Sequence, residues 1–139
     1  MFNTAGIKNY KRTKSMRLPS MADKLFEFHP GERTLPYFEM VPEQILADER
    51  YLSLSRQDQG DFLRLVIHLW TERCRLVRHP GIISENLGMS LAEWEALEAR
   101  LVAAGLLQIS ANQHYIIQPE LREQYLQTLT ANNNKRRAV

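Results

Sequence analysis

The stretch from Ser55 to Cys74 places the strongest constraint on the fold. Its large apolar side chains recur at three- and four-residue steps, which puts them on one face of a helix. They are Phe62, Val66, Leu69 and Trp70, with Leu63 and Ile67 widening the face. Ser55 can accept a hydrogen bond from the amide of Asp58, whose carboxylate lies where the helix dipole favours negative charge. The pattern predicts a long core helix, and Gly60 in its middle predicts the close approach of another segment.

Composition narrows the class of protein. The chain has 139 residues, of which 44% are hydrophobic, and this suits one compact domain. Its single cysteine, Cys74, excludes an internal disulfide. No apolar run approaches the roughly 20 residues that span a bilayer, and the basic N-terminal region lacks the apolar segment of a secretory signal. We therefore expect a cytoplasmic protein that makes no membrane contact.

Charge is distributed unevenly along the chain. Residues 1–34 carry seven basic and three acidic side chains, whereas residues 35–134 carry eight basic and thirteen acidic ones. The last five residues add Lys135, Arg136 and Arg137. This predicts a flexible basic arm at 1–34, a folded domain at 35–130 and a flexible basic tail at 131–139. Translation from Met16 or Met21 would shorten the arm.

Further elements flank the long helix. Pro42 suits a first helical position, which predicts a short helix to about Glu49 with Ile45 and Leu46 buried. After Cys74, Pro80 and Gly81 predict a turn across 75–81. Beyond it, Ile82 and Ile83 are expected to be buried. A short helical turn, 85–87, would be capped by Ser84 and closed by Gly88 in a left-handed conformation.

The second half of the chain contains the clearest helix start. Ser90 and Glu93 have the spacing of a capping box, and Gly105 lies where a C-terminal cap is expected. The apolar face between them consists of Trp94, Leu97, Leu101 and Ala104. Two β-rich runs, 106–109 and 115–117, surround a polar turn and predict a hairpin. Pro119 then begins a last helix.

These elements predict a mainly α fold with a small β-hairpin, arranged as a single winged helix-turn-helix-like domain. Two helices joined by a turn precede the hairpin, which would form the wing. In the usual binding mode of such domains, the helix before the wing enters the major groove of DNA. Trp70 and Trp94 have helical spacing and are predicted to be core residues rather than stacking platforms for bases.

The chain resembles the compact winged-helix domain of phage and prophage replication-region proteins, over residues 36 to 127. The matching text comprises Ile45-Leu-Ala-Asp48, Tyr51-Leu-Ser-Leu-Ser55, Gly60 with Phe62, Leu63 and Leu65, Leu69-Trp70, Leu87-Gly-Met-Ser90, Glu93-Trp94, and Gly105-Leu-Leu107 leading to Tyr115 and Ile116. The resemblance implies a role in replication initiation or helicase recruitment. No long additional domain follows, which argues against a complete initiator.

The helix before the hairpin bears the wrong charge for an ordinary reading of DNA bases. Glu93, Glu95 and Glu98 stand against Arg100 alone, and a duplex would repel so acidic a surface. One hypothesis is therefore that other basic residues bind nucleic acid: Lys8, Lys11, Arg12, Lys14, Arg17, Arg73, Arg75, Arg78, Lys135, Arg136 and Arg137. The basic ends could instead serve only solubility, and the arginines after the long helix could simply oppose its dipole.

The rival hypothesis is a protein-interaction module. Glu93, Glu95 and Glu98 would then bind a basic host protein, as in a phage-encoded inhibitor of host replication, transcription or defence machinery. A homodimer through Tyr37, Phe38 or the last helix is compatible with both hypotheses.

Catalysis is the least supported class. Cys74 and His79 are too few for a zinc site, no glycine-rich phosphate loop is present, and a cysteine that ends an apolar helix is expected to be a buried, inert thiol. Asp58 and Asp61 are expected to be solvated acids. We therefore expect no enzyme activity, metal or cofactor.

Overall fold

The computed structural model describes residues 21–138, and side chains from 23 to 136 within them. The protein is mainly helical, with a small three-stranded antiparallel sheet, so the predicted class is confirmed at that level. The elements are α1 Met21–Leu25, α2 Pro42–Ala47, α3 Glu49–Leu52, α4 Arg56–Thr71, β1 Leu76–Val77, α5 Pro80–Leu87, α6 Leu91–Ala103, β2 Gln108–Ile109, β3 Tyr115–Ile117 and α7 Pro119–Ala138.

Helix α4 is the central element of the core, as its apolar pattern predicts. The Ser55 hydroxyl accepts a hydrogen bond from the Asp58 amide at 3.1 Å. The four main apolar residues of the stripe are buried, together with Leu65. Ile67 does not widen the buried face, because it is 56% exposed. The prediction for Gly60 is also wrong, since a Cβ placed there would meet nothing within 4 Å.

The sheet adds one strand to the predicted hairpin. Strands β2 and β3 pair as expected, with Ile109 opposite Ile116. Strand β1 pairs with the other edge of β3, with Leu76 opposite Ile116, in a segment where the sequence predicted only a turn. The order of strands across the sheet is β1-β3-β2.

Helix α5 begins earlier than predicted. His79 Nδ1 accepts a hydrogen bond from the Ile82 amide at 3.1 Å and caps the helix, so Ser84 is a buried residue inside it rather than its cap. Ile83 is buried, but Ile82 is 53% exposed because it lies in the first turn on the solvent side. Gly88 ends the helix with φ 72°, as predicted.

Helix α6 follows its sequence signals. The Ser90 hydroxyl accepts from the Glu93 amide at 3.1 Å, and the Glu93 carboxylate accepts from the Ser90 amide at 2.8 Å. Gly105 follows the helix with φ 79°. Trp94 is completely buried, and Leu97 and Leu101 are buried beside it. Trp70 is buried too, so both tryptophans are core residues as predicted.

Helix α2 buries none of its residues. It begins at Pro42 as expected, but it ends at Ala47 because Asp48 caps the next helix by accepting a hydrogen bond from the Arg50 amide. Ile45 is only partly buried, and Leu46 is 67% exposed, so the predicted buried pair is wrong.

The folded part begins before residue 35, where the sequence had placed the boundary. Leu25 and Leu35 are buried, and the Leu35 carbonyl accepts a hydrogen bond from Trp70 Nε1 at 2.6 Å. Helix α1 packs against α7. At the other end, α7 continues to Ala138 through the residues predicted as a flexible tail. Both boundaries therefore differ from the prediction.

Candidate nucleic-acid and partner interfaces

Arg78 and Glu98 were assigned to opposing hypotheses, and the structure pairs them with each other. Arg78 Nη2 lies 2.7 Å from Glu98 Oε1, and Arg78 Nε donates to Glu98 Oε2 at 3.0 Å. A third bond runs from Arg78 Nη1 to the Gln113 side chain at 3.0 Å. Glu98 is buried. The assignment of Arg78 to phosphate contact and that of Glu98 to a partner surface are therefore both corrected, because this ion pair ties the residue after β1 to α6.

Arg75 and Arg73 differ in exposure. The Arg75 guanidinium lies 4.7 Å from the centre of the Tyr115 ring and 5.6 Å from that of Phe28, which is the geometry of cation–π contact. Its Nη1 donates to the Phe26 carbonyl at 3.0 Å. The side chain of Arg73 is exposed. Arg75 and Arg78 are thus engaged in contacts within the fold, and Arg73 is the exposed member of the three arginines after α4, which corrects this part of the predicted nucleic-acid surface.

Arg122 is the most enclosed charged residue in the described chain, and no sequence pattern pointed to it. Its side chain is fully buried, and all five of its N–H groups donate. Two donate to the carboxylate of Glu32, at 2.8 and 3.2 Å. The other three donate to backbone carbonyls: Leu25 at 2.8 Å, Glu27 at 2.8 Å and Arg73 at 2.7 Å. Arg122 therefore fixes the N-terminal segment and the end of α4 to α7.

Glu32 and Cys74 have shifted pKa values beside this arginine. Burial raises the pKa of Glu32, but hydrogen bonds from Arg122 and from the His29 amide outweigh it, so the pKa lies below its usual value. Burial raises the pKa of Cys74 to about 12. A thiol with so high a pKa is protonated and inert, which confirms the prediction for Cys74.

The exposed surface of α6 is acidic and apolar. Glu93 and Glu95 are exposed, and Leu91 is 49% exposed. Arg100 is held by Asp58, through Nε to Oδ2 at 2.6 Å and Nη2 to Oδ1 at 3.0 Å. Asp58 is buried, which corrects its assignment as a solvated acid. Every arginine on α6 or bonded to it is thus already paired with a carboxylate in the described structure.

The basic end of α7 lies beside residues that precede α2. Lys135 and Arg136 are exposed near the end of α7. Arg33 Nη1 lies 3.4 Å from Asn133 Oδ1, so the N-terminal segment runs alongside the same helix. The other basic residues assigned to nucleic-acid contact, Lys8, Lys11, Arg12, Lys14, Arg17 and the side chain of Arg137, lie outside the described residues.

An open groove, which we call the acidic groove, lies between residues 38–45, α4 and the start of α7. Its volume is about 260 Å³. Phe38 forms part of its wall and packs against Trp70, with ring centres 5.1 Å apart and ring planes tilted by 36°. Gln124 joins α7 to the opposite side through hydrogen bonds to the Glu39 amide and carbonyl, at 2.8 and 3.1 Å. Tyr37, a predicted dimer contact, is 83% exposed beside it.

Comparisons with known proteins add no relative. No protein-family model, curated protein or solved structure matches the chain. Among residues 21–138, no helix is long and apolar enough to cross a bilayer. The same residues contain no group of three or more histidine, cysteine or acidic side chains placed to hold a metal ion. The helices, strands and charged side chains described above are therefore the basis for a proposed function.

Proposed function

We propose that the chain is a nucleic-acid-binding protein of winged-helix type that contacts the phosphate backbone with its basic ends. The observation that carries this proposal is the order α4-β1-α5-α6-β2-β3, with the strands arranged β1-β3-β2. Two helices joined by a tight turn at Gly88 are followed by an antiparallel hairpin, which is the arrangement expected of a winged helix. No catalytic role is part of the proposal.

The charges decide which parts of the domain bind. The exposed carboxylates of Glu93 and Glu95 oppose entry of α6 into the major groove, so base reading by that helix is not proposed. Residues 1–20 of the arm and the end of α7 together offer eight basic side chains, enough for sequence-independent binding through release of counterions. A role in phage replication initiation or in transcriptional regulation would follow from the resemblance to replication-region proteins.

Fluorescence anisotropy of labelled single- and double-stranded DNA at two salt concentrations tests the proposal. The full chain is compared with an arm variant, in which Lys8, Lys11, Arg12, Lys14 and Arg17 become Gln. The slope of log K against log salt should fall by roughly 0.7–0.9 for each phosphate that the arm no longer neutralises. A control variant replaces Arg56 and Arg64, both exposed on α4, by Gln and should keep the full slope. Absence of salt-sensitive binding at micromolar protein would refute the proposal.

One observation favours a second candidate, a protein-interaction module that binds a basic host protein. Because Arg78 and Arg100 are each paired with a buried carboxylate, Glu93 and Glu95 set the charge of the α6 surface. Glu98 no longer belongs to that surface. A partner recovered in stoichiometric amount by the full chain should be lost with Glu95→Lys and retained with Arg64→Gln. Recovery that is unchanged by Glu95→Lys would remove this candidate.

A further inference from the structure

We propose that the acidic groove holds residues 1–20 of the same chain, the part of the basic arm that precedes α1. The inference goes beyond nucleic-acid binding because it concerns where the basic arm rests when no nucleic acid is present. It needs no DNA for its test, so it can fail or succeed independently of the proposed function.

The groove has the size and lining of a site for side chains rather than for a whole small molecule. Its volume of about 260 Å³ is below the roughly 300–1,000 Å³ of most ligand pockets. Met40, Val41, Ile45 and Leu63 line it, and Met40 and Val41 are each more than two-fifths exposed. Helix α2 on the same side buries nothing. An apolar surface of this kind is suited to one or two apolar side chains of a peptide.

Carboxylates surround this apolar lining. Glu39, Asp48 and Glu120 line the groove, and Glu43 and Glu49 stand on the adjoining helices α2 and α3. The cation in the lining is Arg50, which lies 2.7 Å from Asp48 and 2.9 Å from Glu120. The lining therefore holds three carboxylates and one guanidinium, so its charge is negative, and the groove should attract a segment that combines apolar and basic residues.

The arm has that composition. Residues 1–20 contain five basic side chains and no acidic one, and Ile7, Tyr10 and Leu18 lie among them. The described residues that follow the arm contact α7, the helix that forms one side of the groove. Leu25 is bonded to Arg122, and the adjacent Leu121 lines the groove. Because the arm and the groove belong to one chain, docking would be intramolecular and would need no second molecule.

Docking would make the groove a competitor for the arm. The basic side chains of the arm would pair with the groove carboxylates until nucleic acid competes for them. Other anions would therefore have less access to the arm. Because the carboxylates on the rim are exposed, the contact should weaken as salt shortens the screening length below about 8–10 Å.

The buried thiol makes a direct test possible. Cys74 is the single cysteine, is buried and has a pKa of about 12, so Ser15→Cys would supply the reactive thiol for a nitroxide spin label. Methyl NMR signals of Met40, Val41, Ile45 and Leu63 should lose more than half their intensity in the labelled full chain at low salt. Signals of Ile82 and Leu91, exposed on α5 and α6, should keep theirs.

Matched charge variants decide whether the groove causes the effect. Glu39→Gln with Glu43→Gln should restore the groove signals, whereas Glu93→Gln with Glu95→Gln, which removes two carboxylates from α6, should leave them broadened. Unbroadened groove signals, or broadening that survives the groove variant, would overturn the proposal. Broadening that arises only when spin-labelled protein is mixed with isotope-enriched protein that carries no spin label would also overturn it and assign the contact to a second copy.

Discussion

Arg122 and Arg100 each hold a carboxylate with two nitrogen atoms, yet their surroundings are opposite. The Arg122 side chain is 0% exposed and that of its partner Glu32 is 1% exposed. The Arg100 side chain is 53% exposed, although its partner Asp58 is buried. Arg122 also donates hydrogen bonds to three backbone carbonyls, while the hydrogen bonds of Arg100 go to Asp58.

The difference shows where this chain lacks regular structure. From Leu25, the last residue of α1, to the start of α2 the chain runs without helix or strand, so its buried carbonyls need donors from elsewhere. A planar guanidinium with five N–H groups supplies them at Leu25 and Glu27. Arg100 joins α4 to α6, two helices whose backbone groups are already satisfied. Arg122 therefore supplies hydrogen bonds that a helix or strand would otherwise supply. Arg100 instead joins two helices that form their own backbone hydrogen bonds.

Removal of Arg122 should have the largest effect. Arg122→Met keeps the apolar stem but leaves the buried Glu32 carboxylate without its cation and three carbonyls without their donor, which should lower the free energy of unfolding by about 3–5 kcal/mol. Urea denaturation followed by circular dichroism measures this change. A loss below about 1 kcal/mol would contradict the role assigned to Arg122, since that is the range of an exposed pair.

Removal of Arg100 should have a smaller effect. Arg100→Met leaves Asp58 buried without its ion-pair partner, and the expected loss is about 1–3 kcal/mol. The same denaturation experiment applies, with Arg64→Met on the exposed side of α4 as the control that should change little. A loss equal to that of Arg122→Met would remove the distinction between the two arginines.

Lysine substitution sharpens the comparison further. Arg100→Lys preserves one charged contact to Asp58 and should lose less than about 1 kcal/mol. A lysine offers three N–H groups, whereas the acceptors of Arg122 belong to four residues. Arg122→Lys should therefore lose most of the stability that Arg122→Met loses. Similar midpoints of denaturation for the two lysine variants would show that charge alone matters at both positions.

Lowering the pH should weaken the contribution that the Arg122–Glu32 pair makes to stability. The pKa of Glu32 is lower in the folded protein than in the unfolded chain, so the stability it supplies is complete above about pH 4.3 and is lost as pH falls further. The difference in stability between wild type and Glu32→Gln should therefore shrink below that pH. A difference that stays constant between pH 5 and pH 3 would contradict the lowered pKa; these values bracket the ordinary pKa of about 4.3.

The sequence predicted the elements whose signals are local. The capping box at Ser90, the left-handed glycine at Gly88 and the proline start of α7 each depend on a few adjacent residues. The hairpin and the burial of both tryptophans followed from short-range periodicity. In all these cases, the physical cause lies within one or two turns of chain.

The missed features depend on distant contacts. Strand β1 has two residues, too few for any period, and it exists because β3 pairs with it. Arg122 stands between Leu121 and Glu123 in the sequence, where it looks like an ordinary helix residue, and its partners lie 49 to 97 positions away. The same holds for the site residues. Arg78 and Glu98 carry charges of the expected kinds, but their mutual pairing across 20 positions removed both from the predicted surfaces.

The corner after α4 has a consequence for the order of folding. Arg73 and Cys74 adopt φ values of 57° and 60°, a backbone region that residues with a side chain rarely occupy. The Arg73 carbonyl is held there by Arg122, which also holds Leu25 from 97 positions further along the chain. At about 5–20 residues per second, the ribosome makes Arg122 roughly 5–20 s after Leu25. Leu25 therefore cannot form its hydrogen bond to Arg122 until most of the chain has been synthesised.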